Sequence, residues 1–195
     1  MPKKFSNTTK NEIRKTILDE YKKHLINNEA SKISVDSLVK KANIAKGTFY
    51  FFFDNKEELF LEVTIEILTA IEKQIEQINR SSSNSSIFLF EVLLYLKHVA
   101  KEYPWVIKMT GKEFSSMLNK LSLEGKNQIY SKKERIWGKV FKSIADDLVV
   151  SKSIFQGLVS ILLLSISDGD EITSFDEVYR EFASMITNRS IREDK

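Results

Sequence analysis

Apolar residues return every three or four positions along most of the chain, and no stretch shows the alternation of a half-buried strand. The pattern therefore predicts an all-α protein. Ile13, Ile17, Tyr21 and Leu25 form the first stripe, with Thr9 and Glu12 spaced as a capping box ahead of it and Asn27 and Asn28 suited to close it. Ser34 is placed to cap a second, short helix that turns Leu38, Val39 and Ala42 inward and Lys40 and Lys41 outward. Asn43, which tolerates a left-handed backbone, ends it. Ala45 to Phe53 predicts a third helix, short and aromatic. Asp54 and Asn55 offer caps for a fourth, with Glu57 and Glu58 at matching positions. The fourth stripe, Leu59, Val63, Ile67, Ile71, Ile75 and Ile78, is too long to serve a three-helix head alone, so it is expected to tie the head to the rest.

Beyond it, Asn79 to Ser86 contains no apolar residue and predicts a loop. Ile87 to Lys101 is apolar on most sides, and Pro104 interrupts the helical pattern just after it. Val106, Met109, Phe114, Met117, Leu118 and Leu121 then continue the helical spacing. After Gly125 another stripe passes through Ile129, Ile136, Trp137, Val140, Phe141, Ile144 and Leu148. Ile154 to Ile166 is apolar nearly all round, which predicts a helix covered on both faces. Asp168-Gly169-Asp170 stops it. Ser174 with Glu177 is spaced to open a final helix bearing Phe175, Val178, Tyr179, Phe182, Met185 and Ile186.

Three short helices with tight connections describe a helix-turn-helix head over residues 1–56, and residues 57–195 form a second, helical domain. Charge follows the same division. Residues 1–56 hold 12 Lys and Arg against 6 Asp and Glu, a balance of +6 within a net charge of +3, which leaves −3 for the remainder. A basic face beside a neutral-to-acidic body is the electrostatic footprint of a nucleic-acid-binding head on an effector or assembly domain.

Other classes recede. With no cysteine, neither a disulfide framework nor a thiolate zinc site can form, and a cytoplasmic address is expected. The start, MPKKFSNTTK, lacks the apolar core of a signal peptide. Ile154 to Ile166 falls short of the roughly 20 apolar residues that span a bilayer. His24 and His98 are the only imidazoles, no glycine-rich phosphate loop or G-x-S-x-G turn occurs, and the acidic turn 168–171 lacks calcium-loop spacing. No catalysis, metal or cofactor is expected.

The run Ser34 to Leu59 then supplies something more specific. Val35, Leu38, Val39, Ala42, Ile44, Lys46, Gly47, Thr48, Phe49, Tyr50, Phe52, Phe53, Asn55, Lys56, Glu57, Glu58 and Leu59 stand in register with the head of the TetR family of bacterial transcriptional regulators, which this stretch resembles. Asn43 replaces the usual turn Gly and Ala45 the usual capping Ser, so the third helix should start without a side-chain cap. The resemblance implies that Lys46, Gly47 and Thr48 meet base edges and that Ser34, Tyr50, Phe51 and Lys56 belong to the DNA-contacting set, with Ser34, Tyr50 and Lys56 as phosphate anchors. The partner implied is double-stranded DNA carrying a palindromic operator.

For the second domain the resemblance implies a homodimer and a small-molecule effector that releases DNA, repression being usual in the family; the lack of clustered charge across these helices points to a hydrophobic one. The residues offer Phe155, Leu158, Leu162, Phe182, Met185 and Ile186 as a dimer interface, the alternative being that these two helices simply close a monomer core. Phe88, Tyr95, Trp105, Met109, Phe114, Met117, Trp137 and Phe141 are candidates to line an apolar pocket, although such stripes also serve as plain core. The rival readings are a head that docks on a protein, or a DNA-binding regulator controlled by a protein partner with no small ligand.

Overall fold

The computed structural model describes residues 6–27, 32–103, 112–166, 169 and 172–192. Among them the fold is helical, apart from one isolated antiparallel bridge between Leu148 and Ile191. The chain divides into two compact units, one of Met1–Glu66 with Met109–Ile129 and one of Ile67–Lys108 with Tyr130–Lys195.

The first unit contains α1 (Asn7–Asn27), α2 (Val35–Lys41), α3 (Lys46–Phe52), the start of α4 (Lys56–Ser81), α6 (Lys112–Lys120) and the start of α7 (Leu123–Ile144). Helix α1 begins earlier than the capping-box spacing predicts. Ser6, not Thr9, is the cap: its Oγ accepts from the Thr9 amide at 3.1 Å, and the Thr9 hydroxyl bonds Ser6 instead. Of the predicted stripe, Ile17, Tyr21 and Leu25 are buried and Ile13 is half-buried; Leu38, Phe49, Phe53 and Leu59 are buried in the same unit. Gly125 does not break a helix. The hydroxyl of Ser122 accepts from its amide at 3.1 Å, which makes Ser122 the cap of α7 and places Gly125 in its first turn.

In the second unit α4 continues to Ser81, and α5 (Ser85–Glu102) opens on Asn84, whose Oδ1 accepts from the Ile87 amide at 2.8 Å. The polar run 79–86 is therefore mostly helix ends, with only three residues outside: Ser and Asn satisfy terminal amides as readily as they form loops. Tyr179, on α9 (Phe175–Ser190), is buried and donates its phenol proton to the Leu93 carbonyl on α5 at 3.0 Å, and burial pushes its pKa up. Ser174 precedes α9 in the left-handed region (φ 55) and makes no side-chain cap, contrary to the capping-box expectation.

Helix α8 (Lys152–Leu164) departs most from its sequence reading. Only Phe155, Val159 and Leu162 are buried, while Ile154, Ile161 and Leu164 are exposed. An apolar helix need not be covered on all sides by its own chain. No helix among the described residues is long and apolar enough to cross a membrane.

Candidate nucleic-acid interface

The candidate interface is built by the α2–turn–α3 segment. Ser34 caps α2 through its Oγ, which accepts from the Ser37 amide at 3.1 Å, and Leu38 and Val39 anchor the helix in the core. Asn43 takes the left-handed conformation (φ 53) that the turn demands, which an Asn adopts at lower cost than most side chains. Ala45 then precedes α3 with extended backbone and no side-chain cap, as its sequence predicts.

Within α3 the aromatic residues divide. Phe49 is buried and packs at 5.7 Å, centroid to centroid, on Phe53, which is also buried; together they fix the rotation of the helix. That rotation leaves Lys46 and Gly47 exposed, Thr48 partly so, and Tyr50 and Phe51 49% and 60% exposed. A side-chain carbon added at Gly47 would meet nothing within 4 Å, so the head itself does not require a glycine there.

Cations surround this surface. Lys40 and Lys41 are exposed at the end of α2. Lys10 on α1 lies 5.3 Å from the Phe51 ring centre, a cation–π contact at the edge of the face. Lys46 is bound to Asp36 at 2.7 Å, and that carboxylate holds the lysine's pKa up. Lys56 opens α4 and donates to the Ile33 carbonyl at 3.1 Å, so its ammonium is pinned between the start of α4 and the segment leading into α2. Asn55 caps α4 at the Glu58 amide, while Glu58 reaches back to the Asp54 amide, both at 2.8 Å. Lys10 and Asp36 were not singled out by the sequence pattern. Each acts across helices, at a separation no periodicity marks.

Residues 26–63 match the family of bacterial regulatory proteins described as the tetR family. Over these residues the head is similar to that family's members. One curated relative, an uncharacterized HTH-type transcriptional regulator, YhgD, of Bacillus subtilis (strain 168), is 32% identical over 88 residues, which are 43% of this chain and 46% of that protein. The chain thus matches about half the length of that relative. Among solved structures the fold resembles the transcriptional regulator FadR from Bacillus subtilis, crystallised with stearoyl-CoA (14% identity, TM-score 0.70, 89% of this chain and 97% of that one). It also resembles a TetR/AcrR-family regulator from Thermobifida fusca (13% identity, TM-score 0.71, 91% and 98%). At such identities these two likenesses concern the fold alone.

Outside the head, the pocket candidates are scattered. Met117 is buried in the first unit, whereas Phe88, Tyr95, Trp137 and Phe141 belong to the second. Trp137 and Phe141 pack against Phe155 at 6.2 and 5.6 Å, one aromatic cluster in which two pocket candidates meet an interface candidate. Trp105 and Met109 lie outside the described residues, and of Phe114 only its place in α6 is described. Of the interface candidates, Phe155, Leu162 and Ile186 are buried within their own unit and so are closed to a partner in this conformation. Leu158 is half-buried, and Phe182 and Met185 are 53% and 63% exposed. Periodicity marks which residues are apolar; it does not say which side of the helix its own chain covers.

Proposed function

We propose that the protein is a transcriptional repressor that binds a palindromic operator as a homodimer and is released by a small hydrophobic effector. The observation that carries the DNA-binding part is the register of α3: with Phe49 and Phe53 buried, Lys46, Gly47, Tyr50 and Phe51 are exposed and Thr48 partly so, while Ser34 caps α2 and Lys56 opens α4. On this reading Lys46 and Thr48 meet base edges in the major groove, and Ser34, Tyr50 and Lys56 fix register on phosphates.

The dimer is supported by the exposed apolar side chains of α8 and α9, among them Ile161, Phe182 and Met185. Two copies of one surface form a closed twofold pair, which matches the symmetry of a palindrome. For the effector, the ligand class proposed is a long-chain acyl compound, by extension from one regulator of the same fold that was crystallised with stearoyl-CoA. Such a ligand would relieve repression only by binding more tightly to the conformation that cannot span both half-sites.

Footprinting on the DNA flanking the protein's own gene tests this. A protected inverted repeat that is lost with Tyr50→Ala/Lys56→Ala, and weakened by acyl compounds, is expected. Retention of the footprint by that double variant would overturn the assignment of the face. An unaltered footprint with every acyl compound would remove the effector part alone.

A further inference from the structure

Asp36 is the second residue of α2, and its Oδ1 lies 2.7 Å from Nζ of Lys46, the first residue of α3. Both side chains are more than half exposed, and an ion pair so open to water and salt adds little to folding. The pair is also unhelpful for general DNA affinity. A carboxylate on a face that meets phosphates repels them, and it cancels one of the few cations at the start of the reading helix. A function in discrimination accounts for both costs.

A lysine ammonium is a point charge on a flexible stem, and phosphates lie at every position of every duplex. Left free, Lys46 would turn to the nearest phosphate and contribute equally to any sequence. Held by Asp36, it is neutralised as an internal pair but keeps two N–H donors free of that carboxylate, enough to meet a base-edge acceptor such as N7 or O6 of guanine. We propose that Asp36 is a specificity-determining positioning residue, which holds Lys46 over the reading face so that it engages a base edge and not a phosphate. This inference rests on the proposed DNA-binding function. Asp36 also lies in the first turn of α2, where a negative charge favours the helix dipole, and that role alone would alter stability without altering sequence preference.

The test compares wild type, Asp36→Asn, Lys46→Met and the double variant on two probes: a random-sequence duplex, and the tightest duplex that wild type selects from a random library. Affinity is measured by anisotropy over a salt series. Asp36→Asn is expected to tighten random-duplex binding several-fold at low salt and to steepen the salt slope by about 0.9, which is a further loss of roughly three- to fourfold between about 50 and 200 mM salt. Affinity for the selected duplex should gain less, so the ratio between the two probes falls, and Asp36→Glu should restore it. In the Lys46→Met background the change of slope should vanish. An Asp36→Asn slope and ratio equal to wild type, or the same change in both backgrounds, would overturn the inference while leaving DNA binding intact. A wild-type protein that binds neither probe would overturn the DNA-binding function and this inference with it.

Discussion

The Glu72 carboxylate on α4 and the Lys132 ammonium on α7 lie 2.5 Å apart, and both residues are almost wholly buried. Lys139 at 3.0 Å and Arg135 at 3.2 Å complete a ring of three cations around this one carboxylate, and Lys139 also pairs with Glu76. The hydrogen bond from Lys132 holds Glu72 below the usual carboxylate range, against the desolvation that raises it. Glu72→Gln leaves a buried ammonium without its counter-charge and is expected to destabilise the protein by about 3 kcal/mol or more in chemical denaturation. Because the folded pKa of Glu72 is lowered, its contribution is present above the ordinary glutamate range and is lost as pH falls through and below it.

The buried imidazole of His24 gives a second pH dependence at a higher pH. Burial, and then the charge of Lys41, lower its pKa below the ordinary 6.5. The unfolded chain therefore binds this proton more readily than the folded one, so stability rises with pH through that region and is lost as pH falls below it. Thermal unfolding between about pH 7.5 and 5.5 is expected to show a falling Tm that His24→Gln flattens.

Gly47 separates folding from function. An added side-chain carbon meets open space, and the backbone there has no positive φ, so Gly47→Ala should leave the Tm equal or slightly higher, Ala being the better helix former by up to about 1 kcal/mol. Duplex binding should nonetheless weaken, because the added methyl intrudes where a base edge or backbone must approach. An unimpaired variant would remove Gly47 from the interface.

Lys56→Ala is expected to weaken binding to operator and random DNA alike and to lower the salt slope by about 0.9. It also removes the bond to the Ile33 carbonyl, at a cost of about 1 kcal/mol in stability. A variant that loses stability with no change in slope would assign Lys56 to the scaffold only.

For assembly, Ile161→Asp and Met185→Asp place charges on the exposed apolar faces of α8 and α9. Analytical ultracentrifugation should find a dimer in wild type and a monomer in each variant, with helical content kept. Wild type sedimenting as a monomer would remove the homodimer from the proposal.

The sequence was most legible where side-chain type and local geometry coincide. Ser34 caps α2, Asn43 takes the left-handed turn, and the apolar stripe of α4 is buried from Leu59 to Ile78, as residue type and spacing predict; α3 starts uncapped at Ala45, as the departure from the resembled family's Ser implies. The polar run 79–86 was misleading because Ser and Asn satisfy the terminal amides of a helix as well as they form a loop.

What the sequence determined by itself was the succession of amphipathic helices and the residue types of α3, because both come from local periodicity and from a motif contiguous in the chain. Tertiary structure decided which faces were spent. It buried Phe155, Leu162 and Ile186 while leaving Ile161, Phe182 and Met185 open, and it gathered Trp137, Phe141 and Phe155 into one cluster. It also brought Asp36 to Lys46 and Glu72 to Lys132, pairs from different helices. A helix's period fixes which residues share a side; only its neighbours fix whether that side is covered and which charges meet across the gap.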